Sequence, residues 1–67
     1  MDFRRLTAFC IVYELHSIGR AASQLHLTQP AVTLHIRRLE TDLGYRLFEK
    51  SGRGIAATDA GDVFDQC

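Results

Sequence analysis

A short polar stretch, Thr28-Gln29-Pro30, carries side chains suited to reading a DNA base. Thr28 is a typical helix N-cap, and Pro30 in the first turn of a helix forfeits no hydrogen bond. Glutamine can bind adenine through two hydrogen bonds, and Thr33, one turn further on, can bond to a base edge or touch a thymine methyl. These residue types at this spacing predict base recognition from the N-terminal end of a helix.

Other residues near this stretch are suited to holding the DNA backbone. Arg37 and Arg38 lie deeper along the same helix, where phosphate contact is favoured. Ser17 and Thr28 precede helices, whose free amides attract anions. Leu34, one turn after Pro30, is predicted to face DNA and to pack on a thymine methyl group. Each feature has a plain alternative: the two hydroxyls are helix caps, the arginines form a solvated face, and Leu34 is an isolated exposed leucine. The sequence leaves these alternatives open.

The helix that presents these residues is defined by its apolar side. Val32, Ile36, Leu39 and Leu43 are spaced four, three and four residues apart, which predicts one buried stripe on a helix over 29–43. Gly44, which readily adopts a left-handed backbone conformation, is expected to end this helix. With that stripe inward, the outward side carries Pro30, Thr33, Leu34, Arg37 and Arg38, while Gln29 lies at the tip.

Two further helices precede it. The first, over 2–15, has the apolar stripe Phe3, Leu6, Phe9, Cys10 and Tyr13. Ser17 caps a second helix over 18–25, whose inward residues are predicted to be Ile18, Ala21, Ala22 and Leu25. Only His26-Leu27-Thr28 separates the second helix from the third, so 18–37 is predicted to be a helix-turn-helix.

The pattern changes after Gly44. Two β-compatible segments, 45–50 and 55–57, flank the tip Ser51-Gly52-Arg53-Gly54. An arginine on such a hairpin can enter a narrow, A/T-rich minor groove, although an ordinary surface turn is the alternative. Thr58-Asp59 then begins a last helix with Ala60, Val63 and Phe64 on its apolar side. It meets no stop signal, so 59–67 is predicted to be the truncated start of a longer helix.

The charge distribution supports a nucleic-acid partner although the formal net charge is zero. No acid occurs between Leu15 and Leu39, a stretch that contains Arg20, Arg37 and Arg38, and we expect these three arginines to contact DNA. A local basic face is what DNA requires, and a zero sum can hide one. No apolar run reaches the roughly 18 residues of a membrane span, and no signal peptide is visible, so we expect a cytoplasmic protein without a membrane partner.

The residues that carry catalysis or metal binding elsewhere have no suitable neighbours here. Cys10 and Cys67 lie far apart without a metal-ligand spacing, and Cys10 falls on an apolar helical stripe, where a small core residue is expected. The three histidines lack a nucleophile and an orienting acid at a recognisable spacing. We therefore expect neither an enzyme nor a metal or cofactor site in this chain.

The full pattern resembles a known family. The run IGRAASQLHLTQPAV at 18–32 is followed by IRRLE at 36–40 and then by four shorter matches: Leu43-Gly44, Leu47-Phe48-Glu49, Gly52-Arg53-Gly54 and Thr58-Asp59-Ala60-Gly61. These residues look like the N-terminal DNA-binding domain of LysR-type transcriptional regulators. The resemblance implies a mainly α, winged helix-turn-helix domain over 1–58, with three core helices, a two-stranded β wing and a linker helix from 59.

The resemblance also implies partners. It predicts sequence-specific binding to double-stranded promoter DNA at an A/T-rich interrupted palindrome, homodimers paired through the linker helix, and tetramers of the full-length regulator. A small-molecule effector would bind a C-terminal domain absent here. The family pattern places Gln29, Pro30 and Thr33 near bases and Arg53 in the wing, but members often carry arginine where this chain has Leu34. A winged helix used only for protein–protein contact is the alternative.

Overall fold

The computed structural model describes residues 3–52 and 54–64. Helix α1, Phe3–Leu15, buries Ala8, Phe9 and Val12 in the core. The predicted stripe is confirmed at Phe9, which is fully buried, and Leu6, Cys10 and Tyr13 pack half-buried against the core. The prediction that Phe3 is a core residue is wrong, because its side chain is 80% exposed. Helical periodicity extends the stripe one turn beyond the part of α1 that other elements cover.

Helix α2, Ile18–Leu25, has both predicted ends. The Ser17 hydroxyl accepts a hydrogen bond from the Arg20 N–H at 3.1 Å and so caps the first turn. His26 is left-handed with φ 58°, and its N–H donates to the carbonyls that close the last turn. Ala21 and Ala22 are buried between α1 and the next helix along the chain, where their small side chains allow close approach.

Helix α3, Gln29–Leu43, has the predicted bounds. Thr28 caps it through a 3.2 Å hydrogen bond from the Ala31 N–H, and Gly44 ends it with φ 82°. Its buried residues are Val32, Ile36 and Leu39, with Leu43 partly buried behind them. The predicted stripe is therefore confirmed, and the side of α3 opposite to it is left to solvent.

The wing is an antiparallel hairpin of β1, Phe48–Ser51, and β2, Gly54–Ala57, with Phe48 opposite Ala57. The sequence predicts the first strand from Tyr45, but the strand begins three residues later, at Phe48. The reason is that the Leu47 N–H donates to the Glu40 carboxylate at 2.8 Å rather than to a neighbouring strand. Ser51 pairs with Gly54 and Gly52 has φ 59°, so the turn is tighter than the predicted four-residue tip.

Helix α4, Asp59–Phe64, begins where the sequence indicates. The Thr58 hydroxyl accepts from the Gly61 N–H at 3.1 Å and donates to the Arg46 carbonyl at 2.6 Å, so one side chain caps α4 and ties it to the loop before β1. Phe64 is buried, whereas Val63 is 86% exposed. The predicted continuation of α4 to residue 67 lies outside the described residues.

One aromatic side chain connects α1 with the wing and with α4. The ring centroid of Phe9 lies 5.4 Å from that of Phe48 in β1 and 5.3 Å from that of Phe64 in α4, the latter edge-on. Aromatic pairs at these separations add to the energy of burial. The fold is thus the predicted mainly α arrangement of three helices, a two-stranded wing and the start of a fourth helix. Within the described ranges, no helix is long and apolar enough to cross a membrane.

Candidate nucleic-acid interface

The N-terminal end of α3 is exposed to solvent. Thr28, Gln29 and Pro30 are all exposed, while Val32 on the other side of the same helix is fully buried. One face of α3 is therefore fixed against α1 and α2, and the other offers polar side chains on a rigid support. This is the arrangement in which a recognition helix presents its first turns to the major groove.

The two hydroxyls predicted to contact phosphate act as caps. Ser17 and Thr28 each accept one backbone hydrogen bond in the first turn of the helix they precede. A hydroxyl has two acceptor lone pairs and one proton, so this role uses only part of its capacity. Capping and phosphate contact remain compatible at both positions.

Gln29 lies beside the start of α2. Its amide Nε2 is 3.4 Å from the position that a Cβ would take on Gly19, and the Ser17 hydroxyl oxygen is 3.9 Å from the same point. Gln29 and exposed Arg20 line one shallow, open groove that crosses from α2 to the tip of α3. The structure thus brings together three predicted site residues from two helices: Ser17, Arg20 and Gln29.

A second groove runs between α3 and the wing. Thr33 and Arg37 line its helix side, and Arg46 and Lys50 line the opposite side. Arg46 and Lys50 were not among the predicted site residues. Their positive charge was the available signal, but the groove exists only after β1 has folded back beside α3. Thr33 is partly buried there rather than fully outward.

The remaining predicted site residues are Arg53 and three side chains on α3. Leu34, Arg37 and Arg38 are exposed on α3, and Leu34 retains 49% of its surface. Arg53, predicted at the tip of the wing, lies outside the described residues. The side chains of α3 and α2 therefore form one candidate surface, and the wing contributes Lys50 to its edge.

Two acidic groups near this surface are engaged elsewhere, whereas a third, Glu49, lines the groove between α3 and the wing. The Glu40 carboxylate accepts from the backbone N–H groups of Leu47 and Phe48 and lies 3.7 Å from the Arg46 Nε. Asp42 forms an ion pair with Arg5 at 2.7 Å on the α1 side. The acid-free stretch on α2 and α3 therefore forms a locally basic part of the candidate surface.

Two histidines have structural explanations. His16 and His26 adopt left-handed φ values of 54° and 58° at the ends of α1 and α2, a conformation common at helix C-termini. Among the residues that the structure describes, no group of three His, Cys, Asp or Glu side chains is arranged to hold a metal ion.

The three packed helices, the capped and exposed α3 and the hairpin beside it define a winged helix-turn-helix DNA-binding domain. The family model for bacterial regulatory helix-turn-helix proteins of the lysR family matches residues 3–62. The chain therefore belongs to the LysR family of transcriptional regulators, as its sequence pattern predicts.

Individual relatives agree with this assignment. The chain is 48% identical over 64 residues to the HTH-type transcriptional regulator ClcR of Pseudomonas putida, covering 96% of this chain and 22% of ClcR. It is 52% identical over 56 residues to TrpI of Pseudomonas aeruginosa, covering 84% of this chain and 19% of TrpI. The chain thus spans about a fifth of the length of the curated relatives it matches. These relatives are transcriptional regulators rather than enzymes.

Solved structures show the same fold. The DNA-binding domain of CbnR in complex with DNA superposes with a TM-score of 0.90 at 45% identity, over 96% of this chain and 74% of that one. The BenM DNA-binding domain bound to catB site 1 DNA gives 0.89 at 36% identity, over 96% and 71%. Both neighbours are DNA complexes, which favours a DNA-binding domain over a module for protein contact alone.

Proposed function

We propose that α3 enters the major groove of promoter DNA and reads its sequence through Gln29, Pro30 and Thr33. The observation that carries this proposal is the division of α3 into a buried side, with Val32 and Leu39 fully inaccessible, and an exposed polar tip. A helix held in this way positions its side chains without the entropic cost of ordering a loop.

The backbone contacts follow from the same placement. Arg37 and Arg38 bind phosphates along the edge of the groove, and Arg20 reaches the phosphate chain from α2 together with the hydroxyls of Ser17 and Thr28. Arg53 in the wing approaches the adjacent minor groove, where an A/T-rich sequence concentrates negative potential. Support comes from the exposure of the arginines on α2 and α3 and from the acid-free stretch around them.

The complete regulator is proposed to act in the bacterial cytoplasm as a homodimer joined by the linker helix, and as a tetramer on DNA. Two domains in one dimer would bind the halves of an A/T-rich interrupted palindrome, because a two-fold protein matches a two-fold site. A small-molecule effector would bind a C-terminal domain. These proposals about the complete regulator rest on membership of the family, because the chain itself spans only 22% of the length of a relative such as ClcR.

The direct test is selection of bound duplexes from a random DNA pool by the 67-residue chain. We expect an enriched motif, and we expect Gln29→Ala and Thr33→Ala to lose discrimination within that motif while binding nonspecific DNA almost as before. Thr41→Ala is the matched control: Thr41 lies two turns further along α3, and its hydroxyl donates to the Arg37 carbonyl. If no motif is enriched and binding is independent of salt, the proposal is wrong.

A further inference from the structure

Leu34 is the apolar residue in the middle of the candidate surface. It is 49% exposed, and the buried residues of α3 lie on the opposite side of the helix. Helical geometry places it one turn after Pro30 and one turn before Arg38, so both are its neighbours on the same face. A branched aliphatic side chain is thus held between a residue proposed to approach bases and one proposed to bind phosphate.

Leu27, another exposed leucine, has a different environment. Its side chain is 41% exposed and lines a groove of about 310 Å³ with Phe3 and Thr7 of α1. That groove gives Leu27 apolar neighbours within the protein. Leu34 is absent from the lining of that groove and from the core of the described residues.

We infer that Leu34 recognises a thymine by packing on its C5-methyl group; this inference rests on the proposed function. An aliphatic side chain offers no hydrogen bond to a base edge, so polar edges lose hydration against it without compensation. Among the four bases, thymine alone presents a methyl group in the major groove. Leu34 therefore favours a T·A pair at one position of each half-site, where arginine would favour guanine.

The contact is measurable because a thymine methyl can be removed alone. In the motif selected by the 67-residue chain, each thymine is replaced in turn by uracil, and the dissociation constant is measured by fluorescence anisotropy. We expect one position per half-site at which wild-type binding weakens about fivefold, the equivalent of about 1 kcal/mol for one buried methyl group. Uracil in place of a thymine outside the reach of Leu34 should change the free energy of binding by less than about half as much.

The variants assign the effect to Leu34. Leu34→Ala should bind the thymine and uracil duplexes equally at that position, since the side chain that packs on the methyl is gone. Leu27→Ala, the matched control, should keep the wild-type preference. Urea unfolding of both variants verifies that they fold, and neither leucine belongs to the buried core.

Two outcomes overturn the inference. If no uracil weakens wild-type binding, or if Leu34→Ala retains the full preference, Leu34 does not read a thymine. In either case an enriched motif and salt-dependent binding would still leave the proposed function standing. Absence of both the motif and the salt dependence would instead remove the proposed function together with the inference.

Discussion

The Glu40 carboxylate on α3 accepts a hydrogen bond from the backbone N–H of Leu47, in the loop before the wing, at 2.8 Å. The same oxygen lies 3.4 Å from the N–H of Phe48, the first residue of β1. Only 12% of the Glu40 side chain is exposed, so these bonds form largely out of water. One side chain of the proposed recognition helix therefore fixes where the wing begins.

Replacement of Glu40 by alanine should destabilise the domain by about 2–3 kcal/mol, because two buried N–H groups lose a charged acceptor. Glu40→Gln should cost about half as much, since an amide oxygen still accepts a hydrogen bond but carries no charge. Urea unfolding followed by circular dichroism measures both values. Equal stability of Glu40→Ala and wild type would show that the contact does not hold the wing.

Gly61 brings α4 against the same loop. A Cβ at position 61 would overlap with the Leu47 carbonyl oxygen, which already accepts a hydrogen bond from the Thr58 N–H. Gly61→Ala should therefore destabilise the domain by about 1–3 kcal/mol, as overpacking does, despite the better helix propensity of alanine.

Gly19→Ala is the matched control for this substitution. Gly19 is also helical, but a Cβ there would meet its nearest neighbour, the Gln29 amide, at 3.4 Å, an ordinary contact distance. Thermal unfolding should show Gly19→Ala unchanged or stabilised by up to about 1 kcal/mol. A Gly61→Ala variant as stable as Gly19→Ala would contradict the close approach of α4 to Leu47.

The sequence predicts helices α2 and α3 to the residue because their ends are determined locally. Ser17, Thr28 and Gly44 act on backbone groups within four residues along the chain. Periodicity then identifies which side of each helix is buried. By contrast, the start of β1 depends on the contact between Glu40 and the N–H of Leu47, seven residues further along the chain, and the prediction that β1 begins at Tyr45 is wrong.

The candidate surface was predictable where it lies on one helix. Gln29, Leu34 and Arg38 follow from the buried stripe of α3 alone, and their contacts with DNA stay predictions. Lys50 was missed because its groove joins α3 to a strand that packs beside it only in the folded chain. Likewise, the exposure of Phe3 depends on how far α2 and α3 extend over α1.

Substitutions of Thr28 distinguish its role as a helix cap from its proposed role in phosphate binding. Thr28→Ala should lose about 1 kcal/mol of stability, since the Ala31 N–H loses its acceptor. Thr28→Ser keeps a hydroxyl and should restore both stability and DNA affinity. If Thr28→Ala weakens DNA binding under conditions where it is fully folded, the hydroxyl contacts phosphate as well as capping α3.

The 67-residue chain should sediment as a monomer in dilute solution. In the described part of α4, Phe64 is buried against the chain's own core, and Val63 is the large apolar residue that remains exposed. Stable interfaces bury about 800 Å² per partner, far more than one valine supplies. A tight dimer measured by analytical ultracentrifugation would indicate a pairing surface elsewhere on the domain.

Arg38 provides the electrostatic test. A cation that neutralises one phosphate makes the fall of log affinity with log salt steeper by about 0.9, because it releases condensed counterions. Arg38→Ala should therefore flatten this slope by about 0.9 and weaken specific and nonspecific duplexes alike. Arg5→Ala is the control: Arg5 is already paired with Asp42 at 2.7 Å, so its removal should leave the slope unchanged. Anisotropy titrations over a series of salt concentrations give both slopes, and an Arg38→Ala slope equal to that of wild type would place Arg38 away from the phosphates.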